Sequence, residues 1–157
     1  MIKINKDLID PIIKEGQESP RKRKNFNFHP DARDPMHRMI HASNKGTYVQ
    51  PHKHENPDKV EAFIILKGKV LVIEFNDEGE IMDHIMMDPN SGNHGVEIPA
   101  RVWHGLITLE NNSVFYEVKN GPWDSSNDKF FASWAPKEGD AESEIYMNMI
   151  LEKLQLL

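Results

Sequence analysis

The sequence predicts one all-β domain, an antiparallel sandwich or barrel with a helix at each end. From Asn25 onward, short segments rich in β-branched and aromatic residues follow one another, such as EAFIILKGKVLVIEF and SVFYEVK. Turn-forming runs such as NDEG and DPNSG separate them. Short strands at this spacing, without helical patterns between them, are typical of antiparallel sandwiches and barrels. At 157 residues the chain is long enough for one such domain.

Both ends of the chain have helical patterns. Asn5 or Asp7 can cap a short N-terminal helix that Gly16 ends, with Pro11 fitting best in its first turn. Near the C-terminus, apolar residues recur at helical spacing and predict an amphipathic helix. The residues of this stripe are Ile145, Tyr146, Met149, Ile150 and Leu154.

These patterns divide the chain into three parts. We expect residues 1–24 to form an N-terminal helical arm and residues 25–138 to form the barrel. Residues 139–157 should contain the C-terminal amphipathic helix, packed on the outside of the barrel or used at a subunit interface. We expect a homodimer.

Composition limits the partners and the location. The formal net charge of −6 argues against general affinity for nucleic acid. The basic run at residues 21–24 is either a solvated patch or a local attraction for anionic substrates. No apolar run reaches the roughly 18–20 residues of a membrane span, and the charged start lacks the apolar core of a secretory signal. We therefore expect a cytoplasmic protein that binds a small polar or anionic molecule, with no nucleic-acid or membrane partner.

Histidines are concentrated in the stretch PHKHENPDKVEAFIILKG. Side chains alternate across a strand, so His52 and His54 should point to the same face. A hairpin over HENPDKVE would return Glu61 to their side, and His104 follows Pro99 where the chain re-enters the sheet. Because the chain has no cysteine, a metal site must use His, Asp and Glu. Three imidazoles and a carboxylate suit Fe, Mn, Ni, Cu or Zn.

The spacing of these residues resembles the first motif of the cupin superfamily, G-x5-HxH-x3–4-E-x6-G. Gly46, His52, His54, Glu61 and Gly68 occupy its positions, although six residues rather than three or four separate His54 from Glu61.

The second cupin motif, G-x5-PxGxxH-x3-N, appears in reduced form as Pro99 and His104. Arg101 replaces its second glycine and Thr108 its asparagine. Asp58 lies at the usual spacing after His54, so it competes with the preferred Glu61 as the acidic ligand.

A closer resemblance, to the WbuC-type cupin-fold metalloproteins, covers most of the chain. The similar segments include RKNFNFH, DPMHRM, GTYVQPHKH, EIPARVWHGL and FYEVKNGPWD. The resemblance implies a compact cupin β-barrel, and together with the helical patterns we expect a single double-stranded β-helix or jelly roll with a short N-terminal helix and a C-terminal helix. It also implies one divalent transition metal (Zn, Fe, Mn or Ni) on His52, His54, Glu61 and His104. The genes of these proteins are associated with surface-polysaccharide clusters, while their reaction is not settled.

Other residues are candidates for lining a pocket at the barrel mouth. Strand parity favours Tyr48, Gln50 and Phe63, while Glu117 and Lys119 form either a buried acid–base set or a surface ion pair. The candidates for proton transfer are Tyr48, Glu117 and His94. The candidates for substrate binding are Arg38, Gln50, Phe63, Arg101 and Lys119.

Three functions compete on this basis. The first is a metal-dependent isomerase or epimerase acting on a small polar carbohydrate or sugar nucleotide. The second is an iron-dependent oxygenase, and the third is a non-catalytic sugar-binding module that carries a metal. The fold alone cannot choose among them, because cupins host many chemistries.

Overall fold

Two five-stranded antiparallel sheets face one another in the structure, a computed structural model that describes all 157 residues. The first sheet consists of β1 (Arg23–Asn27), β2 (Met36–Ser43), β4 (Glu61–Lys67), β7 (Gly95–Ile98) and β9 (Ser113–Asn120). The second consists of β3 (Tyr48–Lys53), β5 (Val70–Phe75), β6 (Ile81–Met87), β8 (Trp103–Thr108) and β10 (Phe130–Phe131). The helices are α1 (Lys6–Glu18) and α2 (Glu142–Lys153), and neither has the length and apolarity needed to span a membrane.

From β2 to β9, the first strand pairs with the last, the second with the last but one, and so on toward the middle of the sequence. β2 pairs with β9, β3 with β8, β4 with β7 and β5 with β6, all antiparallel. In space the two sheets run in the orders β1-β2-β9-β4-β7 and β10-β3-β8-β5-β6. This is the connectivity of a long hairpin folded into a jelly roll. The predicted all-β barrel with a helix at each end is confirmed.

The alternation of side chains along β5 divides the apolar residues between two cores. Val70 and Val72 point into the barrel and pack there with Phe63, while Leu71 and Ile73 point outward to the face that α2 covers. The inner core fills only part of the barrel, and polar residues occupy the remaining interior.

The apolar face of α2 differs from the predicted stripe. Met147, Ile150 and Leu151 are buried, whereas Ile145 and Met149 are 71% and 54% exposed. Apolar residues lie on several sides of this helix, and only the side that meets the outer face of β3, β5 and β8 is buried. Three of the five stripe residues, Tyr146, Ile150 and Leu154, pack against this core, so the sequence pattern identified the helix and part of its packed side.

The N-terminal helix also differs in detail from its prediction. Asn5 caps it as one of the two expected residues, but Pro11 lies inside the helix and Gly16 does not end it. Gly16 is buried where the helix crosses β2, and a Cβ there would lie 3.2 Å from the Ala42 carbonyl oxygen. Gly16 therefore allows the helix to pack closely on β2, and it does not terminate the helix.

The two glycines of the first cupin-like motif lie in the connections between strands. Gly46 (φ +80°) precedes β3, and Gly68 (φ +79°) lies in the tight turn between β4 and β5. This left-handed conformation favours glycine. At Gly68 a Cβ would also clash with the hydroxyl group and Cα of Ser113.

We expect Gly68→Ala to destabilise the protein more than Gly92→Ala. Both positions have positive φ, which costs alanine about 1–2 kcal/mol. Only Gly68 has a neighbour in the way, so its substitution should lower the free energy of unfolding by about 1–3 kcal/mol more, measured by urea denaturation. Equal losses for the two variants would contradict this account of the turn.

Candidate metal centre

Three strands of the barrel bring four potential ligands together. His52 on β3 lies directly across from His104 on β8, Glu61 begins β4, and His54 follows β3. One nitrogen or oxygen from each residue lies within 4.8 Å of the others. None of the four residues is more than 2% exposed. The predicted set of one carboxylate and three imidazoles is therefore a single buried cluster.

The backbone fixes the orientation of each histidine ring. The Nδ1 atoms of His52 and His104 lie 2.9 Å from the carbonyl oxygens of Gln50 and Val102, and His54 Nδ1 contacts the Asp128 carbonyl. A carbonyl only accepts, so each Nδ1 must donate its proton. Each Nε2 is then left with a free lone pair, which is the arrangement of histidines that bind metals.

The atoms that face one another in the cluster lack hydrogen-bond partners. His52, His54 and His104 each have a buried Nε2 without a partner, and Glu61 has a buried Oε1 without one. An unsatisfied buried polar atom costs about 1–3 kcal/mol, and four of them in one place would be expensive. A cation bound among them would satisfy all four, so the residues fit a divalent transition metal.

The electrostatics favour the ligand forms of these groups. Burial, followed by the nearby charge of Lys129, holds the pKa of His52 well below its usual value. Burial opposes the ionisation of Glu61, but the surrounding histidines outweigh it and hold the Glu61 pKa well below its usual range. At neutral pH His52 is thus a neutral imidazole and Glu61 a carboxylate, as metal binding requires.

Asp58, the rival acidic ligand, lies elsewhere. Its side chain is 51% exposed and pairs with Arg101, whose Nε lies 2.9 Å from Asp58 Oδ1. The long HENPDKVE segment projects Asp58 outward before the chain returns at Glu61. The structure therefore favours Glu61.

A cavity of about 560 Å³ opens beside the cluster, lined by His52 and Glu61 among others. Phe63, Glu117 and Lys119 also line it, so three of the predicted pocket residues lie where the sequence placed them. Glu117 and Lys119 are 8% and 5% exposed. The face of β9 that points into the barrel therefore carries Phe115, Glu117 and Lys119. The alternative in which Glu117 and Lys119 form an ion pair on the protein surface is wrong, because both side chains are buried.

Glu117 has a histidine partner in this cavity. Its Oε2 lies 2.8 Å from Nε2 of His41 on β2, whose ring stacks on Phe115 at a centroid distance of 4.9 Å. Burial is the largest influence on Glu117 and raises its pKa, but His41 and Lys119 outweigh it, so the pKa is lowered. His41 Nε2 has no hydrogen-bond partner, so this contact is an electrostatic one that positions the Glu117 carboxylate.

Lys119 belongs to a buried charge triad. Asp128 lies between Lys119 and Lys59, at 2.8 and 2.7 Å from their Nζ atoms, and no member is more than 5% exposed. Burial disfavours the charged form of Asp128, but the two lysines outweigh it and lower its pKa. The triad ties the loop after β9 to the cluster of potential ligands, because the Asp128 carbonyl also contacts His54.

Tyr48 and Gln50 do not share the face of the ligands, so that part of the prediction is wrong. A bulge between Val49 and His52 shifts the pairing of β3 with β8 and reverses the alternation. Tyr48 packs under α2 and donates a hydrogen bond to the Pro136 carbonyl at 3.0 Å. Gln50 donates to the Ala132 carbonyl at 3.2 Å.

Three further candidates lie away from the cavity. Arg38 points to the other side of β2 and pairs with Asp34 at 3.2 Å. Arg101 is occupied by Asp58 and its side chain is 60% exposed. His94 is exposed on the connection that leads into β7. None of them contacts the cluster.

Sequence reasoning missed several residues that line the cavity. His37 and His41 share one face of β2, and the spacing of four in MHRMIHA carried that information. Asp128 and Lys129 come from the irregular segment after β9, where no periodicity exists to predict their position.

Comparisons with known proteins show the fold and a family. A family model described as a domain of unknown function, DUF6016, matches residues 4–87. No curated protein matches. Among solved structures, KdgF from Halomonas sp. is 18% identical with a TM-score of 0.50, covering 66% of this chain and 82% of that one.

Two other structures cover longer parts of the chain. The capsular polysaccharide assembling protein CapF from Staphylococcus aureus is 21% identical with a TM-score of 0.60, covering 72% of this chain. The present chain spans only 32% of the CapF chain. A recombinant oxalate oxidase in complex with glycolate is 14% identical with a TM-score of 0.54, covering 73% of this chain and 57% of that one. These proteins have cupin folds, and the chain shares that fold.

Proposed function

The chain belongs to the DUF6016 family, whose description names no activity, and we propose that it is a metal-dependent isomerase or epimerase of a small polar carbohydrate or sugar nucleotide. The observation that carries the proposal is the convergence of two features in one cavity. Four buried ligand atoms without partners lie on one side, and the His41–Glu117 pair lies on another.

His52, His54, Glu61 and His104 would hold a divalent transition metal, which would supply a Lewis acid for polarising a carbonyl. The protein contributes the rest of the chemistry. The backbone carbonyls behind His52, His54 and His104 fix the three rings, so the geometry of the centre is set before a ligand arrives. The cavity volume of about 560 Å³ falls within the range of small-molecule sites.

Glu117 is the group that takes the proton from the carbon next to the carbonyl. Its pKa is lowered, so it is a carboxylate at neutral pH, and it lies across from Phe63 and one diagonal step from Glu61 in the sheet. Diagonal neighbours in a sheet are roughly 7–8 Å apart, enough for a substrate atom between Glu117 and the metal centre. The same carboxyl group returns the proton to the neighbouring carbon, which completes the isomerisation, while His41, stacked on Phe115, lies 2.8 Å from Glu117 and orients it.

The carbohydrate part of the proposal comes from the resemblance to WbuC-type proteins and their polysaccharide gene clusters. The likeness to CapF, a capsular polysaccharide assembling protein, agrees with this assignment but concerns the fold alone. Kinship with the WbuC type remains part of the proposal, since the matching family model carries a different description.

We expect Glu117→Gln to slow solvent-hydrogen exchange into a sugar substrate by about 10²–10⁴-fold, because the amide cannot accept the proton. The assay follows deuterium incorporation by NMR when metal-loaded protein is incubated in D₂O with aldo- and keto-sugars and sugar nucleotides. Metal content should stay unchanged, since Glu117 is not among the four clustered ligands.

Glu97→Gln, on an exposed residue of β7, is the matched control and should keep full activity. Full metal loading without exchange into any sugar of the panel would overturn the proposal. Iron in the purified protein with substrate-dependent oxygen uptake would indicate the oxygenase instead. Tight sugar binding without turnover would indicate a binding module.

A further inference from the structure

Lys129 differs from the other cationic residues that line the cavity. Arg21 and Arg23 both pair with Glu138, Lys24 pairs with Glu15, and Lys119 pairs with Asp128. Lys129 makes no ion pair and no side-chain hydrogen bond, although it lines the same cavity as His52 and Glu61. An ammonium left unpaired beside a buried cluster is available to a ligand.

The backbone holds Lys129 close to the metal cluster. Phe131, two residues later on β10, is the cross-strand partner of His52, and the two rings lie 6.0 Å apart. Asp128, the preceding residue, is fixed by Lys59 and Lys119. The backbone on both sides of Lys129 is therefore anchored, while its own side chain has no partner within the protein.

The buried charged side chains around the cluster carry one net negative charge without a metal. They are three carboxylates, Glu61, Glu117 and Asp128, and two ammoniums, Lys59 and Lys119, while Lys129 is exposed at the cavity. A divalent cation on the clustered ligands would turn this into one net positive charge, to which the ammonium of Lys129 adds. Uncompensated charge is costly in a buried site, so a ligand that brings negative charge is favoured over a neutral one.

We propose that Lys129 binds the carboxylate of a polyhydroxy acid, so that the ligand of this cavity is an acidic rather than a neutral sugar. The inference rests on the proposed metal centre and specifies the substrate class of that same site. A single ammonium suits a monoanionic carboxylate, whereas phosphate sites generally use several donors or the fork of an arginine. Trp123, 47% exposed at the cavity, offers an aromatic face for the hydroxylated carbon chain.

The test compares ligands that differ by one carboxylate. Zinc-loaded protein is titrated calorimetrically with gluconate against sorbitol and with glucuronate against glucose. We expect each acid to bind at least about tenfold more tightly than its neutral partner. Lys129→Met should raise the Kd of the acids by about 10–100-fold, as the loss of a charged hydrogen bond does, and leave the Kd of the neutral sugars unchanged.

Lys129→Arg should retain most of the preference for the acid over its neutral partner. Lys137 is an exposed lysine outside the cavity, so Lys137→Met should retain all of that preference. Equal affinities for acid and neutral partner, or an unchanged Kd in Lys129→Met, would overturn the inference. Inorganic phosphate that competes as tightly as gluconate would overturn the choice of a carboxylate. A protein that takes up no zinc would contradict the metal centre itself, whereas a zinc-loaded protein without acid preference contradicts this inference alone.

Discussion

Glu61→Ala is expected to abolish metal binding at the proposed centre, whereas Asp58→Ala is expected to retain it. Glu61 is 2% exposed and supplies the only carboxylate of the cluster, while Asp58 is exposed and paired with Arg101. Losing a residue that hydrogen-bonds to a metal ligand typically weakens metal binding roughly 10–100-fold. Removing a direct ligand should weaken it by more than that. His104→Ala should behave as Glu61→Ala does, because His104 Nε2 faces the same carboxylate.

Elemental analysis of protein purified without a histidine tag is the measurement, expressed as metal per chain. Circular dichroism of each variant separates metal loss from unfolding. Asp58→Ala is the matched control, since both changes remove one carboxylate and the two positions are three residues apart. Metal retained in Glu61→Ala but lost in Asp58→Ala would reverse the assignment, and metal retained in both Glu61→Ala and His104→Ala would refute the site.

The parts that the sequence predicted correctly follow from short-range rules. His52 and His54 share a face because side chains alternate along a strand, and the following turn returns Glu61 to that face. Gly46 and Gly68 both have positive φ in connections between strands, a conformation that favours glycine. Alternation and turn chemistry are local, so they can be recognised without knowing the fold.

The wrong assignments have local causes as well. The alternation that placed Tyr48 and Gln50 beside the ligands fails at the bulge between Val49 and His52. Pro51 lies within that bulge, and a proline that cannot donate to the sheet ladder is a signal for such an irregularity. Applied to β3, this rule would have separated Tyr48 from the ligand face.

Other features required the three-dimensional fold. His41 and Glu117 meet because β2 and β9 are neighbours, though 75 positions separate the two residues. Asp128 and Lys129 reach the cavity from a segment with no repeating pattern. Contacts of this kind depend on strand order and on the course of a loop, and neither is encoded in local spacing.

Asp128→Asn is expected to lower the free energy of unfolding by about 3–5 kcal/mol at pH 7, because it leaves Lys59 and Lys119 buried without an anionic partner. Urea denaturation measures the loss. The asparagine keeps the shape of the side chain, so the effect reports on charge rather than on packing. Asp140→Asn, on an exposed residue without a side-chain partner, should change the free energy by less than about 0.5 kcal/mol.

The loss in Asp128→Asn should also depend on pH in a defined direction. Burial raises the pKa of Asp128, but the two lysines outweigh it and lower the pKa. The carboxylate therefore takes up its proton at a lower pH in the folded protein than in the unfolded chain. The stability that this carboxylate contributes is complete above an unfolded pKa of about 3.9 and is lost as the pH falls through the lower folded value. The difference between wild type and Asp128→Asn should therefore be constant from pH 7 to about 5 and shrink below about 4. A loss under about 1 kcal/mol at pH 7, or a difference that grows in acid, would show that water reaches the triad and that its charges are not buried as the structure has them.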